Sequence, residues 1–240
     1  ALYRSRNVVN YSQLDFHVNN QLSLAVTDNG LALPQYGVEM MGNGLACTKP
    51  TYAWEFRNAT GTAIVNDLVS SFPAFPQNGA TSDSTGMTFD GTNDYMVITP
   101  ISFGGEDVTF EAYLKTDQVR RVSYPIFFSG NGSEDYYNYY RFEVGPNSIR
   151  MRAGTIGDEA KSGDSSTITA GIFYHVVGIF YQTGDYQLYV DNTAAGSGSG
   201  MYVPTNQTRI HNLIGSQVGG NEPLDGTIAY VRIWNGTALS

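Results

Sequence analysis

The sequence predicts an all-β protein: a two-sheet antiparallel sandwich over residues 51–240, preceded by a β-rich N-terminal arm over residues 1–50. Three observations carry this. Short runs alternate apolar and polar residues with a period of two, as half-buried strands do. Gly-, Asn- and Asp-rich turn signals separate them at regular intervals. No stretch of about ten residues shows the helical period.

In chain order, Leu14-Asp-Phe-His-Val18 and Leu22-Ser-Leu-Ala-Val26 each alternate. Asn19-Asn20 lies between them, and Asn tolerates positive φ, so a tight hairpin is expected. From Tyr52 the strands become regular. Val108 to Lys115 alternates, with Val108, Phe110, Ala112 and Leu114 on one side and Thr109, Glu111, Tyr113 and Lys115 on the other. Tyr140–Val144 and Ile149–Met151 flank a Gly145-Pro-Asn-Ser148 turn. Val176–Tyr181 and Tyr186–Val190 flank Gln182-Thr-Gly-Asp185, a hairpin signal, and Ile228–Trp234 is a strong last strand. The expected core is Val108, Phe110, Ala112, Leu114, Phe142, Val144, Val176, Leu188, Val190, Ile228 and Ile233. Trp54 and Trp234 are expected as packing residues.

Several fragments together resemble the laminin-G-like, concanavalin-A-like jelly rolls. They are Tyr52-Ala-Trp-Glu-Phe56 with Val65-Asn-Asp67, Met87-Thr-Phe-Asp-Gly-Thr-Asn-Asp-Tyr95, Phe110-Glu-Ala-Tyr-Leu-Lys115, Ala170-Gly-Ile-Phe-Tyr-His-Val-Val177, Leu188-Tyr-Val-Asp-Asn192, and Asp225-Gly-Thr-Ile228 with Val231-Arg-Ile-Trp-Asn235 and Ala238-Leu-Ser240. Their order and spacing carry the resemblance, which covers about 52–240 and implies a jelly-roll topology. In that fold, Asp90-Gly91 and Asp225-Gly226 would supply tight turns with positive φ. One position departs from the family pattern: Ala229-Tyr230 stands where an acidic pair is usual, so functions that rest on those acids do not carry over.

Composition narrows the partners. The formal net charge is −9. Such a surface repels phosphate backbones and anionic membranes, which argues against nucleic acid. No apolar run approaches the ~20 residues of a membrane span. Cys47 is the lone cysteine, so no intramolecular disulfide forms; it is expected as a buried, inert thiol, with an intermolecular bridge as the alternative. Ala1 is the kind of small residue that signal cleavage leaves. Sequons stand at Asn10, Asn58, Asn131, Asn206 and Asn235. Asn58, Asn131 and Asn235 sit in turn-like contexts, and Asn131 and Asn235 are expected to carry sugar, which implies a secreted glycoprotein from a eukaryotic secretory pathway.

Catalytic signals are absent. The Glu-x-Asp-x-x-Glu run that related glucanases use for glycoside hydrolysis does not occur, and Glu111 stands alone on its strand face. His17, His175 and His211 are scattered without metal-binding spacing. Gly196-Ser-Gly-Ser-Gly200 matches a nucleophile motif by composition alone. The chain is therefore expected not to be an enzyme. The resemblance implies calcium as the one candidate ion, with Asp90, Asn93, Asp94 and Asp225 as oxygen ligands; the same residues also suit plain turns. Tyr113, Tyr137, Tyr139 and Tyr189 are candidate glycan-stacking or interface aromatics.

Two functions remain. The first is a structural, self-assembling subunit of a filament or surface layer. In it Leu14, Phe16, Val18, Leu22, Leu24 and Val26 pack on the sandwich of a neighbouring copy through strand addition. The second is a lectin-like module that binds glycan or protein at a loop rim, with or without calcium. The first is the sequence's slight preference.

Overall fold

The computed structural model describes side chains from Lys49 onward, outside residues 58–60, 62–63, 66, 119–123, 132–137, 146–147, 155–167, 219–221 and 240. For the N-terminal region and for 163–164 it describes only the strand backbone. The chain divides into two compact units, one up to Lys49 and one spanning Pro50–Ala238.

The N-terminal unit holds β1 (Gln13–Val18), β2 (Gln21–Thr27) and β3 (Gly30–Ala32) in one antiparallel sheet, and β4 (Gly37–Met41) with β5 (Gly44–Thr48) in a second hairpin. The β1–β2 pair is the expected hairpin around Asn19-Asn20, with Leu14 opposite Val26 and Phe16 opposite Leu24. A bulge after Phe16 then sets His17 against Leu22 and Val18 against Gln21. The six apolar residues therefore do not form one continuous cross-strand set. β3, β4 and β5 escaped the sequence reading because they are short or Gly-led.

The second unit is an all-β sandwich. Its strands are β6 (Tyr52–Glu55), β7 (Ala74–Gln77), β8 (Thr81–Ser82), β9 (Met87–Asp90), β10 (Tyr95–Ile98), β11 (Ile101–Phe103), β12 (Val108–Thr116), β13 (Tyr124–Gly130), β14 (Tyr139–Gly145), β15 (Ser148–Gly154), β16 (Gly163–Asp164), β17 (Tyr174–Phe180), β18 (Tyr186–Val190), β19 (Thr193–Gly198), β20 (Gln207–Arg209), β21 (His211–Ile214) and β22 (Asp225–Asn235). One sheet runs β19-β18-β17-β12-β22-β9-β8, with β6 also on β22; the other runs β16-β15-β14-β13-β21-β10-β7. β11 and β20 pair separately.

The alternation read from the sequence explains how the sheets meet. Val108, Phe110, Ala112 and Leu114 of β12 all point into the core. The Phe110 ring lies 5.7 Å from Phe127 and 6.1 Å from Phe142 on the facing sheet. The Tyr140 ring meets Phe180 edge-on at 5.4 Å. Ten of the eleven expected core residues are buried; Val190 is partly buried and packs against the same core. Trp54 and Trp234 are both buried, and the Trp54 indole donates to the Phe72 carbonyl at 2.7 Å.

Two expectations are corrected. Gly91 does occupy a turn, with φ +72°, where a Cβ would fall 2.7 Å from that of Asp225. Gly226, by contrast, lies within β22, and its bare Cα lets the Lys115 carbonyl approach to where a side chain would begin. Val65 makes only an isolated bridge to Ala74 rather than a strand.

Candidate functional site

The outer face of the seven-stranded sheet carries the densest unabsorbed chemistry. The β14–β15 hairpin closes with Gly145 opposite Ser148, which fixes Glu143 opposite Arg150 and Arg141 opposite Arg152. The register continues across the sheet: Arg141 faces Phe128, Phe128 faces Leu213, Leu213 faces Val97, and Val97 faces Phe75. One cross-strand row thus runs from two guanidiniums into an apolar strip. Phe128, Tyr139 and Leu213 form a small cluster apart from the main core, with partly buried Tyr95, Val97 and Val218 against it.

At the charged end, the Glu143 side chain is 0% exposed and lies between Arg141 and Arg152, the latter at 3.0 Å through Nε. Burial raises the carboxyl pKa, and the charges of Arg141 and Arg152 oppose that only in part. The contacts are close but off the hydrogen-bonding directions. Both Glu143 oxygens, Arg141 Nε and Arg152 Nε have no hydrogen-bond partner among the described residues. Buried polar groups are normally satisfied, so this concentration of ion-paired atoms without a hydrogen bond stands out on the face. Glu222 reaches the same arginine, its Oε2 2.6 Å from Arg141 Nη2.

A buried arginine fixes the approach to this face. Arg209 is 0% exposed. It donates to the carbonyls of Asn138 (3.1 Å), Thr205 (3.0 Å), Gln207 (3.3 Å) and Phe103. Its guanidinium also lies over the Phe103 and Tyr140 rings at 4.7 and 5.0 Å. Asn138, with φ +56°, is further tied to Thr205 by two side-chain hydrogen bonds of 2.8 Å. The residue that leads into Tyr139 and β14 is thereby pinned.

The outer face of the other sheet is a closed polar network. Glu111 does not stand alone: it accepts from His175 at 2.7 Å, from Arg232 at 3.3 Å and from the Tyr230 hydroxyl at 3.3 Å. Burial disfavours the Glu111 carboxylate, but His175 and Arg232 outweigh it and the pKa is lowered. Tyr113 stacks between Phe173 (5.1 Å) and Tyr230 (6.1 Å). Arg232 lies 4.1 Å over the Tyr230 ring, and Arg57 lies 5.7 Å from it. Tyr230, at the position where the family pattern has an acid, thus serves this network.

The structure separates the candidate aromatics. Tyr113 and Tyr189 lie on the eight-stranded sheet, Tyr189 opposite Val177. Tyr139 lies on the seven-stranded sheet, where it is buried rather than exposed. Tyr137 is outside the described residues. The calcium candidates gather at one end of the β9–β22 pair, with Asp90 opposite Asp225. Asp90 accepts from the Thr92 and Asn93 backbone, and Asp94 from the Asp90 backbone; the second Asp94 oxygen is buried without a partner. Among the described residues no group of three or more His, Cys, Asp or Glu converges as a metal site.

Asn206 is exposed, whereas the Asn131 amide oxygen is buried and that of Asn235 accepts from Gly104 at 2.9 Å. Asn10, Asn58 and the side chains of Cys47 and of Leu14, Phe16, Val18, Leu22, Leu24 and Val26 lie outside what is described.

The sequence reading missed the arginine cluster although its signal was present. Arg141-x-Glu143 and Arg150-x-Arg152 flank the recognised turn, and counting outward from Gly145 and Ser148 pairs them.

A family model described as the concanavalin A-like lectin/glucanases superfamily matches residues 90–240. No curated protein matches the chain. Among solved structures, domain 4 of AbnA, a GH43 extracellular arabinanase from Geobacillus stearothermophilus in complex with arabinotriose, is similar with a TM-score of 0.61 at 15% identity, over 80% of this chain and 94% of that one. Trypanosoma rangeli sialidase in complex with 2,3-difluorosialic acid is similar with a TM-score of 0.59 at 19% identity, over 83% of this chain and 33% of that one. At these identities the likeness is one of fold. Among the described residues no helix is long and apolar enough to cross a membrane.

Proposed function

Because the chain belongs to the concanavalin A-like lectin/glucanases superfamily, we propose that it is a non-catalytic, extracellular carbohydrate-binding module whose glycan lies on the outer face of the seven-stranded sheet. The observation that carries this is the single cross-strand row that leads from Arg152 and Arg141, past the buried Phe128 and Leu213, to the partly exposed Val97 and Phe75 with Tyr95 on the same face. Sugars present apolar ring faces beside hydroxyls, and sites for them combine apolar or aromatic side chains with a few fixed polar groups. The arabinanase domain, alike in fold, is in complex with arabinotriose.

Catalysis by glycoside hydrolysis needs a free acid and a second carboxylate. Here Glu111 is engaged by His175 and Arg232, and Glu143 lies between two arginines. The self-assembling alternative rests on arm side chains that are not described. Among the described residues, strands β1–β5 pair only with one another.

A glycan array with the full chain tests the reading, followed by Tyr95→Ala and Phe75→Ala. Loss of one stacked contact should weaken binding by about tenfold. Silence across the array, or affinity unchanged in both variants, refutes it.

A further inference from the structure

Resting on that reading, we propose that the glycan is carboxylated, that Arg141 and Arg152 receive its carboxylate, and that Glu222 is the chain's own stand-in for that group.

The local charge supports this. The protein carries a net charge of −9, yet Arg141, Arg150 and Arg152 gather on this one patch with Glu143 and Glu222, while Arg150 is set opposite Asp164 of β16. Arg141 and Arg152 stand directly opposite each other across β14 and β15. Like charges in that relation destabilise a sheet unless an anion lies between them. Glu143 supplies part of that charge from a fully buried position. Glu222 supplies the rest from the partly exposed side, its side chain 35% exposed against 10% for Arg141. Arg152 meets Glu143 through Nε and remains 29% exposed. A guanidinium presents a planar fork that matches a carboxylate, and it holds that shape on a rigid strand.

Glu222 has the features of a displaceable group. It stands just ahead of β22, and its backbone holds φ +52°, a left-handed conformation that non-glycine residues rarely adopt. Its Oε2 sits 2.6 Å from Arg141 Nη2, showing where a carboxylate is accepted. A ligand carboxylate placed there takes over the same contact, and Glu222 moves to water. The sugar then continues along the row, over the buried Phe128 and Leu213, towards the partly exposed Val97, Tyr95 and Phe75, as the register directs. With Glu222 turned to water, Arg141 and Arg152 face Glu143 alone, and the one positive charge left over suits a singly charged carboxylate. A hexuronate and a sialate share that chemistry.

The test is calorimetric titration of the full chain with a glucuronate-terminated oligosaccharide, a sialylated lactose and lactose itself. At least one acidic ligand should bind about tenfold more tightly than lactose, because a charge-assisted pair is added. Arg152→Gln should remove that advantage, bringing the acidic ligand down to the affinity the same variant shows for lactose. Glu222→Gln should tighten the acidic ligand by several fold, since it removes the competitor. Binding of lactose alone overturns the carboxylate assignment and leaves the glycan-binding reading standing. Weaker acidic binding in Glu222→Gln also overturns it, because Glu222 would then be a ligand contact. No binding of any saccharide overturns both. Both substituted side chains are partly exposed, and melting curves verify that the variants fold; should Arg152→Gln fail to fold, the Glu222→Gln arm decides the matter.

Discussion

Arg209→Met is the most informative single perturbation of the framework. Burial draws the Arg209 pKa down from the usual arginine value to about 10. At 1.36 kcal/mol per unit, keeping the charge inside is unfavourable by about 3 kcal/mol. Met fills much of the same volume and removes that penalty. It also removes the guanidinium donors that serve the carbonyls of Phe103, Asn138, Thr205 and Gln207. Hydrogen bonds from a charged donor contribute about 1.5–3 kcal/mol each, so the loss exceeds the relief by at least ~3 kcal/mol. For a unit of this size that lowers the melting temperature by roughly 6–12 °C. Arg209→Lys keeps the charge but not the fork, and should remain destabilised by more than ~1 kcal/mol. Thermal and urea unfolding followed by circular dichroism reads both. A Met variant within about 1 kcal/mol of the parent would refute the claim that the guanidinium holds this region together.

Two further outcomes follow from the opposite face and the surface. Glu111 has its folded pKa below the ordinary 4.5, so its network contributes stability that is present above that value and is lost as pH falls through the folded pKa. Glu111→Gln should unfold more easily at pH 7 by about 1–3 kcal/mol and lose less stability than the parent on acidification; parallel pH profiles would contradict this. Expressed in a glycosylating secretory host, Asn206 should be the most fully occupied of the described sequons, because it is exposed while the amide oxygens of Asn131 and Asn235 are engaged or enclosed. Peptide mass spectrometry showing Asn131 occupied and Asn206 bare would reverse that order.

Much of the sandwich was legible because its strands keep strict alternation. Val108 to Lys115 assigns its own faces, and the turn residues around 145–148 and 182–185 fix two hairpins. Alternation fails where burial has a polar cause. In Thr208-Arg209-Ile210 it sends Ile210 inward and Arg209 outward, yet Ile210 is 55% exposed and Arg209 fully buried. Four backbone carbonyls and two aromatic rings make that arrangement stable, and they come from segments distant in sequence. Glu111 looked solitary for the same reason: His175 and Arg232 reach it only through the β17-β12-β22 order. Tyr139 reads as an exposed aromatic because nothing local shows that Phe128 and Leu213 enclose it. The arginine cluster was within reach of hairpin counting, but its burial was not.

The central claim is the location of the glycan, and chemical-shift mapping of the isotope-labelled full chain tests it most directly. Titration with the best array ligand should move backbone amides of Tyr95, Val97, Phe128, Tyr139 and Arg152, all on the outer face of the seven-stranded sheet. Shifts confined instead to Tyr113, His175, Tyr189 and Tyr230, on the opposite sheet, or to strands β1–β5, would contradict the account.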